Sequence, residues 1–245
     1  MSERPLLTKS ELQWIVAPYA LVWIFAPLIA LFQGRYGMGI YLVMPWIALV
    51  IVLRHPRDFT LFVAASPRVD REGYAPSISF LWLFSPLWLG LSPPYGAFVD
   101  PWTPFLRPAL YIGGALFFAT VFVVFITTPG WNFSFVYRFI PVLAATLMYG
   151  YFAARELDVM LDRSPDVIYQ SMATHKNMAS GSTGLTIEPW GLVSVRRNVS
   201  VPSSVFGSVK TGGPVCMVVR QGALKVPWYT AQHCPWNGGR TDVGP

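Results

Sequence analysis

Apolar residues run in long unbroken blocks through the first two thirds of the chain, and from about residue 185 onward they fall at every second position. Unbroken blocks predict helices; a period of two predicts strands. Leu12 to Phe32 holds no charged residue and is long enough to cross about 30 Å of hydrocarbon at helical rise. Gly39 to Leu53 is apolar again but reaches only about 23 Å as a helix, so a hairpin with the preceding run is expected. Ser77 to Leu91 is a third, short run, Pro108 to Thr128 a second full-length one, and Phe133 to Ala153 a further crossing with Arg138 near its start. The fold class expected is a membrane all-α bundle of about four to five transmembrane helices, some short or kinked, followed by a small all-β C-terminal module. If the short runs are re-entrant, the number of full crossings falls to as few as three.

The interruptions orient the helices. "RHPRDFTLFVAASPRVDREGYAP" brings Arg54, Arg57, Arg68 and Arg71 together with three prolines, and it breaks the apolar pattern. Basic residues favour the cytoplasmic side, which places this loop and the N-terminus, with Arg4 and Lys9, in the cytoplasm. Three more crossings put everything after Arg155 outside it. The opening apolar run exceeds the usual length of a signal-peptide core, so a retained first span is expected.

Toward the C-terminus the pattern changes twice. "RELDVMLDR" has Leu157, Met160 and Leu161 at helical spacing, and "HKNMASGSTG" has linker composition. Val193, Val195, Val199 and Val201, with Phe206 and Val209, suggest two strands; "KTGGP" is a turn, and "VCMVVRQ" with "KVPWYTAQ" forms a hairpin. The domain division is therefore 1–155 for the transmembrane helices, 156–183 for an amphipathic stalk and linker, 184–236 for the β module and 237–245 for a flexible tail.

Composition agrees with a membrane location. The 245 residues are 53% hydrophobic and only 12% charged, against about 25% charged in an average soluble protein. The net charge of +6 is scattered, with no basic helix or zinc-finger spacing, so a nucleic-acid partner is not indicated. The only cysteines, Cys216 and Cys234, bracket the hairpin. Outside the cytoplasm they would form a disulfide closing a loop of about 19 residues, worth on the order of 3 kcal/mol on chain-entropy grounds; two free thiols are the alternative. Simple hairpin register does not set them opposite each other, so a bridge needs the chain to bend back after the second strand.

Candidate chemistry is sparse. Transport and proton pumping call for ionisable groups at membrane depth, whereas Glu11, Arg35, Arg54, Arg107, Arg138 and Arg155 fall at or near helix ends. Arg54, Arg57, Arg68, Arg71 and Arg138 are candidate contacts for an interface or for lipid headgroups. Gly113 and Gly114, with Ala109 and Ala119, would let a second helix approach closely. Pro18, Pro27, Pro45, Pro86 and Pro141 predict kinks, and the tryptophans read as an aromatic belt rather than pigment or quinone contacts. His233 and His175 with the two cysteines have zinc-compatible chemistry but not zinc-site spacing, so no metal is assigned, and nothing selects a cofactor. "SGSTG" satisfies neither the phosphate-loop nor the nucleophile-elbow pattern, so no catalytic residue is assigned. Asp158, Asp162 and Asp166 recur every fourth residue, as on the solvated face of a stalk.

"PVCMVVRQGALKVPWYTAQHC" resembles the C-terminal segments of small bacterial envelope proteins of unassigned activity: a Cys-bearing strand, "GAL", an aromatic pair and a final Cys. The resemblance implies a bacterial inner-membrane protein with a periplasmic β module and no particular activity. The function expected is that of a non-catalytic accessory or scaffolding subunit of a membrane complex, with the lipid bilayer and a membrane or extracytoplasmic protein as partners. A small transporter or channel component is the alternative, and a membrane-embedded enzyme a further one.

Overall fold

A computed structural model of the chain describes residues 39–56, 86, 89, 97–100, 102–127, 139–179 and 182–234. Two compact units emerge, one made from Met1–Pro93 and Phe105–Glu156, the other from Pro94–Pro104 and Leu157–Pro245. The expected first span at Leu12 to Phe32 and the expected tail at 237–245 lie outside the described residues, as does the run at Ser77 to Leu91 apart from Pro86 and Leu89.

The helical unit holds α1 (Gly39–Arg54), α2 (Leu106–Thr127) and most of α3 (Phe139–Met160). Asp100 starts α2: its carboxylate accepts the Trp102 and Thr103 amides at 3.0 and 3.3 Å, leading into a 3₁₀ turn at Thr103–Phe105. The Trp102 amide is the main influence holding the Asp100 carboxyl below its usual range. Glycines bring α2 and α3 together. A side chain at Gly150 would collide with the Ala109 carbonyl and the Gly113 backbone, and one at Gly113 would meet the Thr146 carbonyl, whereas Gly114 faces open space. Of the two adjacent glycines, only Gly113 makes the expected close approach.

Three buried hydroxyls of this unit donate to backbone carbonyls. Thr120 and Thr146 donate to carbonyls one turn back on their own helices, and the Tyr149 hydroxyl donates to the Leu42 carbonyl on α1. The core gathers Tyr41, Leu49, Val52, Leu116, Val124 and Tyr149. Among the described residues one helix, Thr103–Thr127, is long and apolar enough to cross a membrane, and α1 is apolar but shorter. Four to five membrane-crossing helices are thus not seen among the described residues; charges at Arg155 and Glu156 dilute the hydropathy of α3, and α1 has only 16 residues.

The second unit is a six-stranded antiparallel sheet, β1 (Ala97–Phe98), β2 (Val167–Ala179), β3 (Ser182–Ile187), β4 (Arg197–Ser200), β5 (Pro214–Arg220) and β6 (Trp228–Gln232), in the order β1-β6-β5-β2-β3-β4. The C-terminal hairpin forms as expected, with Met217 opposite Ala231. β2 pairs with β5 over Val167–Met172 and with β3 beyond Ala173, where the register shifts, so one long strand changes neighbours at a bulge. The sheet curls into a barrel-like form in which the Arg197 side chain on β4 donates to the Val99 carbonyl just after β1 at 2.9 Å. That bond joins the two edge strands. Inside lie Ala173, Leu185, Ile187, Trp190, Val199, Val215, Met217 and Tyr229.

Three sequence expectations change here. Within 156–183 the helical spacing of the stalk agrees with the end of α3, but the expected linker is part of the longest strand, β2. Its pattern misleads because the buried positions are the small Ser171 and Ala173 while Met172 and Met178 face outward. Their polar neighbours are paired: Ser171 donates to the Glu188 carbonyl, Thr174 to the Thr186 carbonyl and Asn177 to the Thr186 hydroxyl. Phe206 lies on a short helix, α4 (Ser203–Ser208), rather than on a strand, and Val209 caps that helix. Proline followed by two serines suits a helix start better than a strand. Ala97–Phe98, between the runs at Ser77 to Leu91 and Pro108 to Thr128 and with no element expected there, supplies β1, the sheet's edge.

Candidate functional site

Cys216 and Cys234 form a disulfide, with their Cα atoms 5.0 Å apart. In the hairpin Cys216 sits opposite Gln232, so the bridge is made by the chain turning back two residues later. Both cysteines are buried, and as bridged sulfurs they are not thiolate ligands. Among the described residues no group of three or more His, Cys, Asp or Glu is placed to hold a metal ion. His175 lies on β2 and His233 beyond β6, both exposed.

Arg54 is exposed in the last turn of α1, and Arg57, Arg68, Arg71 and Arg138 lie outside the described residues. The helices around it show where the unusual surface is. Large apolar side chains point away from the core on α1 (Val43, Ile47 and Val50) and on α2, where Tyr111 is 78% exposed, Phe118 71% and Phe122 61%. Exposed large apolar residues at helical spacing form a continuous apolar strip on the outer face of these helices.

A second cluster joins the end of α3 to the loop between β5 and β6. The Asp158 carboxylate accepts the Leu224 amide at 2.5 Å, and its backbone carbonyl accepts the Ala223 amide at 3.0 Å. Asp162 takes the Ser164 amide at 2.8 Å and the Trp228 indole N–H at 2.7 Å. Ser164 Oγ accepts the Gln221 amide at 2.9 Å, and Arg220 pairs with Asp166 at 2.5 Å. The three aspartates expected on a solvated helix face therefore serve as anchors. Helix α3 ends at Met160, so their four-residue spacing does not place them on one helical face. The signal in the sequence was the spacing itself; its partners, about 60 residues away, were not readable.

Burial works against ionisation of Asp162, but the Ser164 amide and hydroxyl, the Trp228 indole and the Gly222 amide outweigh it and hold the carboxyl below its usual range. Asp158 lies beyond the predicted crossing at Phe133 to Ala153. Burial, more than any other influence, pushes its carboxyl up to about 6; the Asp162 charge adds to this, and the Leu224 and Val226 amides oppose it. Two neighbouring carboxyls thus hold opposite protonation preferences. The hydrogen bonds of the cluster run within the fold.

No protein-family model, no curated protein and no solved structure matches this chain.

Proposed function

We propose that this protein is a non-catalytic, polytopic membrane protein that displays its disulfide-closed β unit outside the cytoplasm as an accessory or scaffolding subunit of a membrane complex. The observation that carries the reading is the outward row of aromatic and aliphatic side chains on α2, a surface suited to lipid or to another apolar helix. The remaining crossings of the expected four to five belong to this proposal too. Disulfides persist in oxidising compartments, so the Cys216–Cys234 bridge favours the extracytoplasmic side. The resemblance of the hairpin to bacterial envelope proteins points the same way, toward a bacterial inner membrane.

Strand pairing supports the orientation. Because Ala97–Phe98 pairs with Trp228–Tyr229, residues on the N-terminal side of α2 share a side with strands that follow α3. An outward and a return pass by α2 and α3 satisfy that condition, in keeping with the orientation expected from the basic loop at Arg54 to Arg71.

The test uses a single added cysteine at the exposed turn, Thr211→Cys, with the native bridge intact. An impermeant maleimide should label it in intact cells, and mild-detergent purification should retain a stoichiometric partner. Labelling only after the cells are opened would overturn the orientation. A clean monomer without a partner would overturn the scaffolding role.

A further inference from the structure

The loop between β5 and β6 holds two left-handed residues, Gly222 at φ 73° and Lys225 at φ 63°. Glycine adopts that conformation freely, whereas lysine does so under strain, so something must hold the loop down. The holding group is Asp158. It is 0% exposed; Oδ1 accepts the Leu224 amide, the Val226 amide also faces the carboxyl, and the buried Oδ2 makes no hydrogen bond of good geometry. Gly222 lies flat against this carboxyl, and any side chain there would strike both oxygens.

A carboxyl this deeply buried, with one oxygen lacking a well-aligned donor, is better placed as the neutral acid than as the anion, because burial outweighs the help of the Leu224 and Val226 amides. The charged groups around it, among the described residues, do not supply that donor. Asp162 adds a second negative charge from the chain just beyond α3; Arg220, on β5, is paired with Asp166; and Lys225, on the loop itself, is exposed. We infer that loop 221–227 is a proton-operated latch, held against the end of α3 by protonated Asp158 and loosened when that proton passes to water.

The sign follows from comparing the two states. Latched, the carboxyl titrates at about 6; with the loop lifted and the group in water, it returns to the ordinary value near 4. The latched state binds the proton more tightly, so the latch is at full strength below about pH 4, weakens as the pH rises toward 6, and stays at the weaker level above that. A difference of about two units allows the opening constant to rise by up to about 100-fold across that window. Asp162, held below its usual range, remains charged through most of the window and acts as a fixed repelling charge.

Hydrogen exchange at the Ala223 and Leu224 amides tests this on the full chain in detergent micelles, between pH 4 and 7, with rates corrected for intrinsic exchange. The opening constants should rise about ten- to 100-fold between pH 4 and 6 and then level off. Asp158→Asn keeps an oxygen for the Leu224 amide but cannot titrate, so its profile should be flat, while Asp166→Asn should keep the rise. A flat wild-type profile, or a rise that survives in Asp158→Asn, would overturn the latch. Should Asp158→Asn fail to fold, carboxyl ¹³C titration of the wild type decides: a buried aspartate titrating near 6 together with the amide change supports the latch, and its absence overturns it.

Discussion

The helical and β units bury apolar residues to similar depth but differ in what they turn outward. On α2, Tyr111, Phe118, Phe122 and Phe125 are exposed around a core that already contains Leu116 and Val124. In the β unit the interior takes Leu185, Val215 and Met217, while positions such as His175, Arg196, Asn198 and Gln232 face out. The helical unit turns a row of large aromatic side chains outward; the β unit exposes mostly polar positions, with Met172, Met178, Leu192 and Val195 interspersed. The difference teaches that burial alone does not report the surroundings of a fold, and that the outward-facing residues do.

Three experiments would break or sharpen this contrast. The largest effect is expected in the β unit, where Cys216→Ala with Cys234→Ala should cost about 2–5 kcal/mol. Denaturant unfolding followed at Trp190 and Trp228 should shift to a lower midpoint while α-helical circular dichroism persists. Simultaneous loss of both signals would show that the units do not unfold separately.

Next, Phe118→Asp places a charge on the outer face of α2. Facing lipid, it should weaken membrane integration by about 2.5–3.5 kcal/mol, read as the fraction extracted by alkaline carbonate. Facing water, the same change should be nearly neutral and improve solubility, which would remove the contrast between the units.

The smallest effect is expected at the helix contact. Gly150→Leu forces α2 and α3 apart and should cost about 1–3 kcal/mol in detergent melting, whereas Gly114→Leu, facing open space, should leave the melting temperature within about a degree of wild type. Equal effects at the two sites would mean that the close approach of Gly113 and Gly150 does not hold the pair.

Much of this was legible along the chain. The α1 and α2 runs, the hairpin of β5 and β6 and the close approach at Gly113 follow from apolar blocks, from alternation and from small residues. β2 was not legible, because a tightly curved sheet admits Ser171 and Ala173 inside and leaves methionines outside, which inverts the usual pattern. The disulfide was half legible: two cysteines bracketing a hairpin suggest a bridge, but the offset from Cys216↔Gln232 needed the strand register.

By itself the sequence determined the long apolar helical runs, the C-terminal hairpin, the membrane-like composition and the candidate cysteine pair, because each of these depends on local spacing or on amounts. Tertiary structure decided that Ala97–Phe98 closes one edge of the sheet, that Arg197 joins that edge to β4, and that Asp158 and Asp162 grip a loop about 60 residues away. Those contacts bring together groups with no common spacing along the chain, and only a folded backbone, with water excluded around it, makes them neighbours.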